Sequence, residues 1–220
     1  MTFSKSKNIF HSVILTLVCL QFGNLVYSQT DQPTVSVAVD KMNVLYIGVD
    51  NPLTIAVAGF NSEDLTVESK DLQLVDLGNG HYNAIAKTPG RAFITVTAGG
   101  VSEQVRFRVK RIPDPVARIG NSSGGSLSVA VLQKTKRLDA IMYGFDFDAQ
   151  CAIQSFNLVF VPKKGDPTEV MNRGGLFNGR VLDIMRRIKP GDVLYFEEVK
   201  CKCPGDLGPR VINSLVFKVK

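Results

Sequence analysis

The chain is poor in the residue types on which most hydrolases and metal sites depend. Its 220 residues include two histidines and no tryptophan. His11 lies in an N-terminal apolar segment, so His81 is the one imidazole in the rest of the sequence. No signature of a cysteine hydrolase surrounds Cys151. We therefore predict no catalytic residue, no cofactor and no enzymatic activity, and we interpret His81 as a surface or strand-edge residue.

The sequence also lacks the basic stripes with interleaved aromatic residues that nucleic-acid-binding proteins use. The formal net charge is +6, but basic and acidic residues alternate through most of the chain. The basic clusters at residues 134–137 and at Arg186-Arg187 contain no aromatic residue. The Gly-rich segment 120–125 lacks the lysine and threonine of a phosphate-binding loop. These features predict no nucleic-acid partner and no small-molecule substrate, and they make 120–125 a flexible connection.

The N-terminal segment has the features of a cleavable export signal. Lys5 and Lys7 precede an apolar run at residues 9–20, and Ser28 offers a small residue before a cut at Gln29. The run is shorter than the roughly 20 residues that a membrane-spanning helix needs. We expect residues 1–28 to be a signal peptide, with an uncleaved membrane anchor as the alternative.

Three cysteines follow this segment: Cys151, Cys201 and Cys203. Because an exported protein reaches an oxidising compartment, we expect a disulfide between Cys151 and either Cys201 or Cys203, with one thiol left over. The spacing does not choose between the two pairings. A zinc site at Cys201 and Cys203 is the alternative, but zinc prefers four ligands and His81 is distant in sequence. We therefore expect no metal.

Residues 29–112 contain short apolar runs separated by turns rich in glycine, asparagine and proline. In the last run, 101–110, Val105, Phe107 and Val109 alternate with basic residues, as in a strand with one buried and one solvated face. About seven or eight such strands without a helix predict an immunoglobulin-like β-sandwich over 29–112. The cysteine pair and tryptophan of a true immunoglobulin domain are absent.

Pro113 and Pro115 interrupt this pattern, because proline cannot donate a backbone hydrogen bond to a sheet. We therefore predict a linker at residues 113–125 and a second β-domain at 126–220. The fold class is all-β, with two tandem β-sandwich domains.

The second domain is predicted to contain one short amphipathic helix among its strands. Asn178 is its N-cap, helical spacing of apolar residues follows, and Pro190-Gly191 ends it. Arg186 and Arg187 fall on its exposed face and are the candidate partner-binding residues. Strands are predicted at Val129 and Val131, 141–147, 153–161, 193–200 and 211–219.

The segment Phe145-Asp146-Phe147-Asp148 alternates aromatic and acidic residues. On a strand this places the phenylalanines toward the core and the aspartates toward solvent. Calcium binding or paired acid–base catalysis is the alternative, but the sequence nearby adds no further oxygen ligands. We expect a structural role.

Some segments are distinctive enough to compare with known families. Residues 42–52, MNVLYIGVDNP, resemble the opening of the third periplasmic domain of the GldM (PorM) family. Residues 107–115, FRVKRIPDP, resemble that family's junction into its last domain. The likeness continues through residues 145–148, 189–192 and 213–217, so it covers roughly 33–220.

The resemblance implies a periplasmic, non-enzymatic protein of Bacteroidetes that serves gliding motility or the type IX secretion system. In that family the last two domains form the distal end of a dimeric shaft that couples an inner-membrane motor to a ring of GldK and GldN. The implied partners are therefore GldK- or GldN-like ring components and a second copy of the chain. The family's membrane helix and first two periplasmic domains are not expected here, so motor function is not transferred.

Two other classes of function remain open from the sequence. One is a cell-surface adhesin or carbohydrate-binding β-sandwich protein, which should bind glycans or matrix and be labelled on intact cells. The other is a hydrolase with an unrecognised site. A secretion-linked module should instead remain periplasmic and co-purify with ring components.

Overall fold

The computed structural model describes residues 35–39 and 43–220, so the predicted signal peptide lies outside the described residues. Strands dominate this part of the chain, and none of its helices is long and apolar enough to cross a membrane. The strands and helices are β1 Val35–Val39, β2 Val44–Tyr46, β3 Asn51–Val57, β4 Thr66–Glu68, β5 Gln73–Gly78, β6 His81–Ile85, β7 Gly90–Ala98, β8 Val101–Lys110, β9 Val116–Arg118, β10 Gly125–Leu127, α1 Val129–Lys134, β11 Asp139–Ile141, β12 Ala152–Val161, β13 Thr168–Arg173, α2 Gly179–Arg187, β14 Val193–Lys202, β15 Arg210–Val211 and β16 Leu215–Val219.

The first half of the described chain, residues 43–110 with β1, is a sandwich of two four-stranded sheets. Their strand orders are β1-β3-β6-β5 and β2-β8-β7-β4, and β2 joins β8 in parallel. Both sheets contribute to one core, with Leu53 and Ile55 from the first and Ile94 and Phe107 from the second, each at most 1% exposed. Alternating strands produce this arrangement, because every second side chain of a strand faces the opposite sheet. The predicted all-β, immunoglobulin-like sandwich is confirmed.

The second half, residues 113–220, is built on one large sheet with the order β10-β16-β14-β12-β13. β15 pairs with β14, and β9 and β11 form a separate two-stranded ribbon. The rings of Phe156, Phe177, Phe196 and Phe217 share a core with the buried residues of α1 and α2. One face of the large sheet therefore forms the core of this half.

The structure has two short helices in the second half where one was predicted. Val129 and Val131, read as a strand, belong to α1, in which the Ser128 side chain accepts a hydrogen bond from Val131 N. This cap starts the helix, and only Leu132 of its residues is fully buried. The strand prediction was wrong because a run of three β-branched or apolar residues is too short to distinguish the two-residue period of a strand from the 3.6-residue period of a helix.

Phe145 and Phe147 do not lie on a strand, since β11 ends at Ile141 and β12 begins at Ala152. They occupy the intervening loop, where Gly144 adopts a φ of 62° that breaks the extended pattern. The expected direction of the rings is nevertheless confirmed, because both pack against the core of the second half. The rings are thus directed to the core by their tertiary contacts, although the segment is a loop and not a strand.

Residues 113–125, for which we predicted a linker, carry β9 and a short turn. Ala117 is fully buried, and its backbone N donates to Asn213 Oδ1 over 2.8 Å. Residues 33–220 form one compact unit. The boundaries of the two domains stay a prediction.

Candidate partner-binding site

The helix α2 is fixed at its start by two asparagines. Asn178 Oδ1 accepts a hydrogen bond from Val181 N at 3.0 Å, as predicted for an N-cap. Asn172, fully buried in β13, accepts from Asn178 N at 2.7 Å and donates to Gly174 O and Leu176 O, each at 2.9 Å. The sheet therefore sets the position of α2 through one buried amide.

We expect Asn172→Ala to lower the free energy of unfolding by about 1–3 kcal/mol, because it leaves buried backbone groups without partners. Urea denaturation followed by circular dichroism measures the change. The matched control is Asn157→Ala on the neighbouring strand, where the amide bonds the exposed Glu169 at 3.1 Å. Its effect should stay within about 0.5 kcal/mol, and equal losses in both variants would contradict the role of Asn172.

The predicted binding residues Arg186 and Arg187 are both exposed on the last turn of α2. Arg186 Nη2 lies 2.5 Å from Asp183 Oδ1, so this charge is paired within the helix. Arg187 Nε donates to Asp183 O over 3.2 Å, and its side chain lines a surface cleft. The two arginines therefore differ, and Arg187 is the better placed to meet a partner.

This cleft lies between the β12–β13 loop and the segment that joins α2 to β14, and its volume is about 410 Å³. Asp192 holds the two segments together: its Oδ1 accepts from Lys163 N at 2.9 Å and its Oδ2 from Lys189 N at 2.8 Å. We call it the basic cleft. Its lining consists of Phe160, Pro162, Lys163, Lys164, Arg187, Lys189, Pro190 and Asp192.

The charge of the basic cleft is strongly unbalanced. Lys163, Lys164, Arg187 and Lys189 are exposed cations, whereas the one carboxylate, Asp192, is 5% exposed and directed at backbone amides. Cations gathered at one concave surface raise the association rate of an acidic partner. Sequence reasoning missed the three lysines, because only the fold brings together two turns whose contacting residues, Lys163 and Asp192, are 29 positions apart.

Residues 120–124 read GNSSG and match the Gly-x-Ser-x-Gly letters of a hydrolase nucleophile elbow. An elbow places its serine between a strand and a helix. Ser122 instead pairs with Ile119 in a bridged turn that leads into β10, and its Oγ donates to Gly124 O at 2.8 Å. The histidine His81 belongs to β6 in the first half, with Nδ1 3.3 Å from Thr54 Oγ1. The hydroxyl of Ser122 therefore stabilises the turn.

Of the three cysteines, Cys151 and Cys203 form a disulfide in the structure, and Cys201 is a buried free thiol. Burial raises the pKa of Cys201 to about 11, so the thiol stays protonated and unreactive at neutral pH. Within residues 43–220, no group of three or more His, Cys, Asp or Glu side chains is placed to hold a metal ion.

Two family models match successive parts of the chain. The model described as the GldM third domain matches residues 34–110, and the model described as the GldM C-terminal domain matches residues 113–220. A search of curated proteins gives no match.

Solved structures with tandem domains show distant similarity. Domains 4 and 5 of the S-layer protein SbsC align with 16% identity and a TM-score of 0.32, over 86% of this chain and 98% of that one. Domains A168–A170 of titin align with 10% identity and a TM-score of 0.30, over 86% and 67%. Human protocadherin-24 EC1-2 aligns with 11% identity and a TM-score of 0.28, over 85% and 97%.

Proposed function

The chain belongs to the GldM family, and from this premise we propose that it is a non-enzymatic, protein-binding module of the gliding or type IX secretion machinery that acts in the periplasm. The observation that supports the proposal most is the order of the two family matches. The third-domain match at residues 34–110 is followed directly by the C-terminal-domain match at residues 113–220.

We place the partner contact at the basic cleft and the end of α2. The cleft lies in the segment matched by the C-terminal domain and combines four exposed cations with the apolar side chains of Phe160 and Pro162. Such a surface suits an acidic protein segment carrying one apolar anchor. The proposed partner is a GldK- or GldN-like ring component, and a second copy of the chain is the further candidate.

We expect the double variant Arg187→Glu/Lys189→Glu to slow association with a GldN-like protein by about tenfold at low salt, and by less at high salt, because ions screen the lost attraction. Surface-based kinetics at two ionic strengths measures the rates. The control is Arg180→Glu, which makes half of this charge change on the first turn of α2 and lies outside the cleft. Its rate should remain within about twofold of the original.

Each outcome of this experiment decides something. Equal slowing by Arg180→Glu would reduce the effect to overall charge and reject the cleft. Binding that neither variant changes would place the contact elsewhere on the chain. If no ring component binds while a glycan array captures the protein, the adhesin or carbohydrate-binding function replaces the proposal.

A further inference from the structure

The turn between β2 and β3, residues 47–50, is where the first half packs against the second. Tyr46, at its base, packs edge-on against Phe145 and Phe147, with ring centroids 4.8 and 5.0 Å apart. Val49, at its end, is 8% exposed and belongs to the hydrophobic core of the second half. The first half thus contributes side chains to the other half's core.

Two glycines bring the backbones of the halves into direct contact beside these side chains. A Cβ on Gly48 would lie 2.3 Å from Gly205 N, and a Cβ on Gly205 would lie 2.7 Å from Ile47 Cγ2. Both residues also have positive φ, 79° and 76°. Any side chain at either position would push the halves apart.

The shape of this turn is held by Asn51, which is 1% exposed. Its Oδ1 accepts from Tyr46 N at 2.7 Å, and its Nδ2 donates to Tyr46 O at 2.9 Å, Val49 O at 3.0 Å and Ala84 O at 2.9 Å. Both polar atoms of the side chain are hydrogen-bonded within the first half. The first half therefore fixes the shape of this turn by itself, and we call residues 47–50 the plug.

Two loops of the second half receive the plug, and the disulfide joins them. The first loop, residues 142–150, carries Phe145 and Phe147 and ends at Cys151. The second begins at Cys203 and continues through Pro204 and Gly205, which contact Gly48. The Cys151–Cys203 bond therefore connects the bases of both receiving loops.

We call the contact between the plug and its two receiving loops the joint. We propose that the Cys151–Cys203 disulfide is a redox-sensitive lock on this joint. When it is oxidised, the receiving loops are held around the plug and residues 43–220 move as one body. When it is reduced, the β12–β14 strand pairing still joins the bases of the loops, but the loops loosen around the plug and the two halves reorient about Arg111, which is exposed. This regulation goes beyond the proposed partner binding, because it controls the direction in which the basic cleft is presented.

The reduction needs two electrons and two protons, which a dithiol of the thioredoxin-like or dithiothreitol class supplies. One thiolate attacks Cys151 Sγ and forms a mixed disulfide, and Cys203 leaves as a thiolate and takes up a proton. The second thiol then displaces Cys151, so the dithiol becomes a disulfide. Cys203 is 3% exposed, whereas Cys151 is half-buried and lines a groove of about 640 Å³, which favours attack at Cys151.

The test compares the oxidised full chain with the dithiothreitol-reduced chain and with Cys151→Ala/Cys203→Ala. We expect one rotational correlation time by 15N relaxation for the oxidised protein and two for the other samples. Cleavage by trypsin at Arg111 should accelerate by about tenfold or more on reduction. Cys201→Ala, which keeps the disulfide, is the control and should behave as the oxidised protein does.

Two results would overturn the lock. One is a fully reduced protein, verified by intact mass, with a single correlation time and unchanged cleavage. The other is loss of the amide signals of β12–β14 on reduction, which would make the bond a staple of the second half alone.

A second variant tests the joint without changing any thiol. Gly48→Ala in the oxidised protein should also give two correlation times. Gly59→Ala has a similar φ of 83° but an empty surrounding, so it should leave one. Identical behaviour of the two glycine variants would overturn the joint itself.

Discussion

Arg210→Ala should lower the free energy of unfolding by about 3–5 kcal/mol at neutral pH, because it leaves a buried carboxylate without its partner. The Asp206 side chain is 3% exposed and forms an ion pair with Arg210, whose Nε lies 2.9 Å from Asp206 Oδ2. Arg210 Nη1 also donates to Ile112 O at 2.8 Å, so the same residue fixes the segment between the halves. Chemical denaturation with urea measures the loss.

The control for this prediction is Asp114→Ala, which removes the other acidic partner of Arg210. Asp114 Oδ1 lies 2.9 Å from Arg210 Nη1, but its side chain is 70% exposed, so water replaces most of the interaction. We expect a loss of at most about 1 kcal/mol. A larger loss from Asp114→Ala than from Arg210→Ala would show that burial of Asp206 is not the decisive factor.

Lowering the pH tests the same ion pair in a second way. We expect it to decrease the stability contributed by the pair in the original protein and to increase the stability of Arg210→Ala. Burial raises the pKa of Asp206, but the hydrogen bonds from Arg210 and from Cys203 N, together with the Arg210 charge, lower it below its ordinary value. The folded pKa is therefore below the unfolded value of about 3.9, so the pair stabilises the protein above that pH and loses its effect as pH falls through the folded pKa. In Arg210→Ala burial dominates and raises the pKa, so acidification should recover part of the lost stability.

The pattern of the strands and the start of the main helix could be predicted from sequence because their causes are local. Val105, Phe107 and Val109 alternate with basic residues, and Phe107 and Val109 are buried as that alternation requires. Asn178 caps α2 through its own side chain. In both cases the signal lies within a few residues.

The features that sequence reasoning missed depend on register and on tertiary contact. Ile153 lies opposite Cys201 in the β12–β14 pair, so continuing the antiparallel register places Cys151 opposite Cys203. That register decides the disulfide, and cysteine spacing does not contain it. The basic cleft depends likewise on Asp192 joining two distant turns, and the joint depends on Gly48 meeting Gly205.

Phe196→Ala should remove about 3–5 kcal/mol from the stability of the second half, since it opens a cavity at the centre of an aromatic cluster. The ring is fully buried, with centroids 5.5 Å from Phe156, 6.1 Å from Phe177 and 6.2 Å from Phe217. Differential scanning calorimetry of the oxidised protein measures the change. The neighbouring Tyr195→Ala, on the opposite and half-exposed face of β14, should cost clearly less.

The shape of the thermal transition adds to this comparison. Val49 of the first half lies in the same core as Phe196, so a cavity at Phe196 should also weaken the packing of the β2–β3 turn against the second half. With the disulfide intact we expect the Phe196→Ala protein to keep one transition at a lower Tm. Two transitions, with the first half melting at its original temperature, would show that the cores unfold independently and that the joint transmits little stability. A Tm equal to that of Tyr195→Ala would contradict the central position of the Phe196 ring.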